Sequence, residues 1–196
     1  MGKDELRLRA NWQTVSGALA GKIETRIYNI LAYLFANTEY RITDKPKEFT
    51  RVYENWPLSE EEQEQIYDPG ITYRHGFQPD LSIENTATGK KIFIEIKRQD
   101  GWVEGYPRSA GRGNAHERFC KYFTPGLQKI VSRESKIEQG LPFWVIFAGN
   151  ITRDPCRVRE ITCWFDVYTD HFFFWRDQNP DSLCDHFIDK IAHLLD

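Results

Sequence analysis

The sequence predicts an α/β fold in which a mixed β-sheet is flanked by α-helices on both faces. Three observations predict it: apolar residues recur at helical spacing over 14–37, polar and apolar residues alternate over 80–84 and 91–97, and 143–148 is a continuous apolar run. These patterns are typical of an amphipathic helix, of half-buried strands and of a fully buried strand, respectively. Helices interspersed with strands of this kind pack as a sheet covered by helices.

Size and composition favour one domain spanning residues 1–196. The 196 residues have a mass of 23.1 kDa, and 40% of them are hydrophobic and 28% charged, which argues against disorder. No apolar run reaches the roughly 20 residues of a membrane helix, and Met1-Gly2-Lys3-Asp4-Glu5 lacks the apolar core of a signal peptide. A cytoplasmic protein is expected, with free and mostly buried cysteines because no CxxC spacing occurs.

The elements follow in order along the chain. A long amphipathic helix covers 14–37, a short acidic helix 59–67, and two strands at 80–84 and 91–97 form a hairpin around turn residues 85–90. Four glycines make 101–113 a loop, and a helix from Asn114 breaks at Pro125-Gly126 before a second piece over 127–134. The remaining elements are a strand at 143–148, a helix over 155–168 capped by Asp154, a strand at 171–175 and a helix over 180–195.

The charge is unevenly distributed. The whole chain has a net charge of −3. The segment from Lys97 to Arg133 contains eight Lys or Arg residues and three acids, a local net charge of +5 that leaves −8 for the rest of the chain. The net charge of −3 argues against a protein that coats nucleic acid by bulk electrostatics. The segment could be a confined site for a polyanion, or simply a solvated face.

The predicted hairpin brings a carboxylate and an ammonium group together. Side chains alternate along a strand, so Glu95 and Lys97 point to the same face. A turn centred between Ala87 and Thr88 pairs Glu84 with Lys91 and places Asp80 opposite Glu95, with Cβ atoms roughly 5 Å apart.

Two carboxylates this close repel each other unless a cation lies between them or one of them is protonated. Oxygen ligands of this kind suit a hard divalent ion, and most plausibly Mg²⁺. Lys97 beside that ion and a phosphate could orient or deprotonate an attacking water. The alternative is an exposed strand carrying a Glu/Lys ion pair and an unrelated Asp80.

The segment 109–118 combines glycines, which allow close backbone approach, with arginine and asparagine. Arg112 and Arg118 have the shape to contact guanine, and Asn114 the shape to contact adenine. The alternative is a glycine-rich loop that caps a helix, with Arg118 on a solvated face. The position inside the basic segment, shortly after a candidate metal site, favours DNA binding.

Together these residues resemble the type II restriction endonucleases of the PD-(D/E)xK superfamily. The matching segments are Pro79-Asp80, 95–105 beginning with Glu95-Ile96-Lys97, and 109–118 with its Gly-Asn-Ala-x-Glu-Arg core. The likeness continues through 123–127, 141–144, 151–155 and 157–162, and more loosely through 11–13 and 45–47, so it covers essentially the whole chain.

The resemblance implies a restriction-endonuclease-like core and a homodimer that cuts both strands of a palindromic duplex with Mg²⁺. It implies catalytic roles for Asp80, Glu95 and Lys97, and a metal held by Asp80, Glu95 and the backbone carbonyl of Ile96. It also implies an AATT core, with a CAATTG site cut after the first C to leave 5′ AATT overhangs. A cognate DNA methyltransferase would be the genetic, not the physical, partner.

The same resemblance implies DNA contacts for five residues. Asn114, Ala115 and Arg118 would read the inner AATT, Arg112 would meet the outer C·G pair, and Gly113 would let the backbone approach the bases. Lys121 and Lys129 are expected to face phosphates or solvent.

Two other functions remain open from the residues alone. The same fold could serve a structure-specific nuclease of the resolvase or repair type. A non-catalytic DNA-binding protein, in which the carboxylates are structural, is the second alternative. Plasmid cleavage with and without Mg²⁺ separates the three.

Overall fold

The sheet is mixed, as predicted. The structure is a computed structural model that describes residues 3–54, 56–67, 75–107 and 115–196. Its strands, in sheet order, are β1 Tyr40–Asp44, β2 Leu81–Asn85, β3 Lys91–Arg98, β4 Phe143–Ala148 and β5 Phe172–Phe174. β1, β2 and β3 pair antiparallel, whereas β4 runs parallel to β3 and β5 parallel to β4.

Helices precede, connect and follow the strands. They are α1 Lys3–Phe35, α2 Glu60–Gln65, α3 Pro125–Ser135, α4 Pro155–Phe165 and α5 Pro180–His186. A 3-10 helix, Ala115–Phe123, lies between β3 and α3, and after α5 the chain continues as a π-helical turn, Phe187–Ile191, and a 3-10 turn, Ala192–Leu194. Two further 3-10 turns are Asn150–Thr152 and Thr169–His171. Among the described helices, none combines the length and apolarity needed to cross a membrane.

Two apolar clusters cover the two faces of the sheet, which confirms the predicted arrangement of helices. One face of β3 presents Ile92, Ile94 and Ile96 to a cluster that includes residues of α1 and α5. The opposite face presents Phe93 to a cluster that includes residues of the 3-10 helix, α3 and α4. All six residues of β4 are buried between these layers.

Two predicted helix starts are confirmed by their caps. Ser59 Oγ accepts the N–H of Glu62, whose carboxylate in turn accepts the N–H of Ser59, a capping box that opens α2. Asp154 Oδ1 accepts the backbone N–H groups of Cys156 and Arg157 at 2.9 and 3.1 Å, and Pro155 occupies the first turn of α4.

The type of helix predicted for the segment after Asn114 was wrong. The predicted α-helix is a 3-10 helix, and its buried residues His116, Phe119 and Tyr122 recur every third position. A 3-10 helix has three residues per turn, so this spacing places all three side chains on one face. The predicted break is at the right place, but Pro125 begins α3 rather than only ending the preceding helix.

Other differences concern boundaries and one missed strand. α1 begins at Lys3, α4 ends at Phe165, and the closing helix changes to π-helical geometry after His186. The sequence analysis missed β1, a short strand that pairs with β2 and has all five residues half-buried or exposed. The cysteines are free, as expected, but the expectation that most are buried is wrong. Cys120 and Cys184 are half-buried, and Cys156 and Cys163 are exposed because α4 buries Ile161 and Phe165 instead.

Stability is expected to fall between pH 7 and pH 5 because of His186. Its ring stacks on Trp144 with centroids 5.4 Å apart, and burial lowers the pKa of His186 from 6.5 to about 4. The unfolded chain therefore takes up a proton as the pH falls below about 6.5, before the folded protein does. This difference reduces the free energy of unfolding by about 2 kcal/mol between pH 7 and pH 5.

Urea denaturation at the two pH values measures this change, and His186→Gln provides the comparison. Buried His116 and His171 also have lowered pKa values, so His186→Gln should still lose some stability over this interval. Wild type should lose more, because it also contains His186. An equal loss in both proteins would contradict the assignment to His186.

Candidate active site

The hairpin of β2 and β3 has the predicted register. Leu81 pairs with Ile94 and Glu84 with Lys91, so continuing the register places Asp80 opposite Glu95. The Asp80 carboxylate is fixed by the backbone of β3, since its Oδ2 accepts the Ile96 N–H at 2.7 Å.

Three of the predicted site residues lie together at this point. Lys97 Nζ donates a hydrogen bond to Glu95 Oε2 and lies 3.9 Å from Asp80 Oδ2. The Glu95 residue is only 5% exposed. One ammonium group therefore contacts both carboxylates, in a site with little access to water.

A tyrosine that the sequence analysis missed holds Glu95 from the other side. Tyr122, on the buried face of the 3-10 helix, donates a hydrogen bond from its hydroxyl group to Glu95 Oε1. Burial, together with the negative charge of Glu95, raises the pKa of Tyr122, so the phenol remains a proton donor. Its three-residue spacing from Phe119 was the available signal.

A second cation and a third carboxylate complete the cluster, and neither was predicted. Lys45, just after β1, donates from Nζ to Asp80 Oδ1 at 3.1 Å and to Glu24 Oε2 at 2.6 Å. Burial lowers the pKa of Lys45, but the hydrogen bonds and charges of Glu24 and Asp80 outweigh it, so the net shift is upward. Lys45 is therefore charged at neutral pH.

Lys121, which was expected to face phosphates or solvent, is half-buried. Its ammonium packs 4.7 Å from the centre of the Phe77 ring and 5.2 Å from that of Tyr122. Burial lowers the pKa of Lys121, while the nearby Glu95 carboxylate opposes that shift. Lys121 thus belongs to the surroundings of the carboxylate cluster.

The donor set fits a magnesium ion. Asp80 and Glu95 supply hard oxygen atoms, and the Lys97 ammonium shows that both carboxylates can reach one cation. Within the described ranges there is no group of three or more His, Cys, Asp or Glu side chains that could hold a metal. Magnesium commonly uses only one or two carboxylates and keeps several waters, so two carboxylates suffice.

The predicted base-reading residues are only partly described. Arg112, Gly113 and Asn114 lie outside the described residues. Ala115 is the first residue of the 3-10 helix, and Arg118 is exposed on it.

A buried histidine, which the sequence analysis did not single out, attaches this helix to α4. His116 has no exposed surface and its ring stacks on Trp164, with centroids 5.4 Å apart. Its Nε2 lies 3.1 Å from Arg157 Nη1 and 3.3 Å from Glu160 Oε2. Burial and the positive charge of Arg157 lower the pKa of His116, so its ring is neutral at pH 7.

Comparisons with known proteins identify the class of this fold and site. The chain is similar to a crystal structure of MunI restriction endonuclease in complex with cognate DNA, with a TM-score of 0.81 and 47% identity. The likeness covers 95% of this chain and 98% of that one. The fold, with its carboxylate and lysine cluster at the hairpin, is that of a restriction endonuclease.

The family is defined more narrowly by sequence. A family model described as type II restriction enzyme MunI matches residues 1–196, and the type II restriction enzyme MunI of Mycoplasma sp is 48% identical over the full length of both chains. The chain belongs to the MunI family of type II restriction enzymes. Members of this class generally need divalent metal ions.

Proposed function

We propose that the protein hydrolyses both strands of duplex DNA at CAATTG, after the first C, and leaves 5′ AATT overhangs. The observation that carries the proposal is the convergence of Asp80, Glu95 and Lys97 in a fold that a relative uses to bind its cognate DNA. The AATT core and the outer C·G pair are what the resemblance of the motif over 112–118 to the family implies.

Asp80, Glu95 and the backbone carbonyl of Ile96 would hold Mg²⁺. When bound, the ion would supply Lewis acidity toward the scissile phosphate and lower the pKa of water. Tyr122 and the Ile96 N–H keep the two carboxylates in place. Lys97, between those carboxylates, would donate to the attacking water and orient it toward phosphorus.

Sequence reading is assigned to Arg112, Gly113, Asn114, Ala115 and Arg118. Arginine and asparagine side chains can each make two hydrogen bonds to one base, and such contacts read the sequence. Lysine contacts to phosphates position the protein but do not read the sequence. His116 lies between Ala115 and Arg118 in the sequence, and its burial against α4 would fix the orientation of the base-reading side chains.

We expect a homodimer in solution. One copy of the site cuts one strand, so symmetric cleavage of a palindrome calls for two copies related by a twofold axis. Light scattering should give about twice the chain mass of 23.1 kDa, free or bound to cognate duplex. A mass equal to one chain in both states would contradict the dimer.

The test of the proposed function is cleavage of a supercoiled plasmid with Mg²⁺ and with EDTA, followed by mapping of the fragment ends. Discrete fragments that end in 5′ AATT at CAATTG sites, formed only with Mg²⁺, are expected. Nicking that follows DNA structure would instead indicate a resolvase or repair nuclease. Binding without any cutting would indicate a non-catalytic DNA-binding protein.

A further inference from the structure

Lys45 contacts Asp80 through both its backbone and its side chain. The Lys45 N–H donates to the Asp80 carbonyl at 3.0 Å, and Nζ lies 3.1 Å from Asp80 Oδ1. The same ammonium binds Glu24 of α1 at 2.6 Å. Lys45 therefore connects Asp80 to α1, a helix that precedes the hairpin in the sequence.

The backbone of Lys45 adopts an unfavourable conformation. Its φ is +46°, in the left-handed region that favours glycine and costs free energy for a residue with a Cβ atom. Strain of this kind persists where surrounding contacts hold it, and often at functional sites. Lys45 is held by its contacts to Asp80 and Glu24 and by Gln78, whose side-chain amide donates to the Lys45 carbonyl at 2.8 Å.

The charges show what Lys45 does for the site. The Asp80 side chain is 15% exposed and that of Glu24 is 24% exposed, so both carboxylates are partly desolvated. Lys45 neutralises one oxygen of Asp80, while Lys97 lies near the other. A divalent ion that binds Asp80 would therefore compete with an ammonium group already in contact with this carboxylate.

We propose that Lys45 is a positioning residue that acts as a built-in counter-ion of Asp80, stabilising the metal-free protein and competing with the divalent ion. This inference rests on the proposed metal site. It predicts that the contribution of Lys45 to stability is large without metal and small with metal. A purely structural lysine would contribute equally in both conditions.

The test is thermal unfolding of the DNA-free protein at low ionic strength, in EDTA and in millimolar Mg²⁺. In EDTA, Lys45→Gln should lower the Tm by about 2–4 °C, because Asp80 and Glu24 lose their shared cation. In Mg²⁺ most of this deficit should disappear, so the metal-induced rise in Tm should exceed that of wild type. Lys45→Arg keeps the charge and should follow wild type in both conditions.

Lys91→Gln is the matched control, because Lys91 forms a comparable 2.6 Å ion pair with Glu48 outside the carboxylate cluster. Its effect on Tm should be the same with and without Mg²⁺. An equal deficit of Lys45→Gln in both conditions would overturn the inference while leaving the metal site intact. If Mg²⁺ raised the Tm of Asp80→Ala as much as that of wild type, the proposal of a metal site at Asp80 would be refuted.

Discussion

Asp80→Ala is expected to abolish DNA cleavage while leaving the fold intact. Asp80 precedes β2 and its side chain is not part of the two apolar clusters, so its loss removes a proposed metal ligand without opening a cavity. Losing a residue that merely supports a metal ligand already costs about 10- to 100-fold in activity, so losing a ligand should cost more. Cleavage of a CAATTG duplex in Mg²⁺ measures the effect.

The same substitution should improve binding of cognate duplex in EDTA. It removes one negative charge from the proposed site, where the scissile phosphate would lie beside Asp80 and Glu95 only in the cognate complex. Repulsion in a partly desolvated site is stronger than in bulk water, so the gain should be larger for cognate than for scrambled duplex. Lowering the pH far enough to protonate a carboxylate, or adding Ca²⁺, should have a similar effect on wild type.

Asp189→Ala, at an exposed position in the π-helical turn, is the control. It should cut normally and show no change in discrimination. Substantial cutting by Asp80→Ala would refute its role as a metal ligand. Unchanged discrimination in EDTA would refute the repulsion argument but not the metal site.

The sequence predicted the parts of the site that local geometry determines. Strand alternation places Glu95 and Lys97 on one face, and the hairpin turn alone sets the register that brings Asp80 to them. The same local rules predicted the short acidic helix that begins after Ser59 and the cap at Asp154. These features depend on residues close together in the chain.

The missing parts depend on contacts between distant segments. Glu24 and Lys45 reach Asp80 from α1 and from the end of β1, and nothing within those segments indicates a partner so far along the chain. Tyr122 and His116 were nearer to prediction, because their three-residue spacing with Phe119 indicates a 3-10 helix with one buried face. With the 3.6 residues per turn of an α-helix, residues three apart do not stay on one narrow face. The buried face is therefore not evident when an α-helix is assumed.

Arg118→Ala is expected to lower affinity for the cognate duplex by about 1–3 kcal/mol while changing affinity for a scrambled duplex far less. Arg118 is exposed on the 3-10 helix, two residues beyond the buried anchor His116, so its removal should leave the core unchanged. Gel shifts with Ca²⁺ on both duplexes measure the two affinities. Lys129→Ala, an exposed residue of α3, is the control and should weaken binding to both duplexes alike or not at all. A loss for Arg118→Ala that is equal on cognate and scrambled DNA would show that Arg118 contacts phosphate rather than bases.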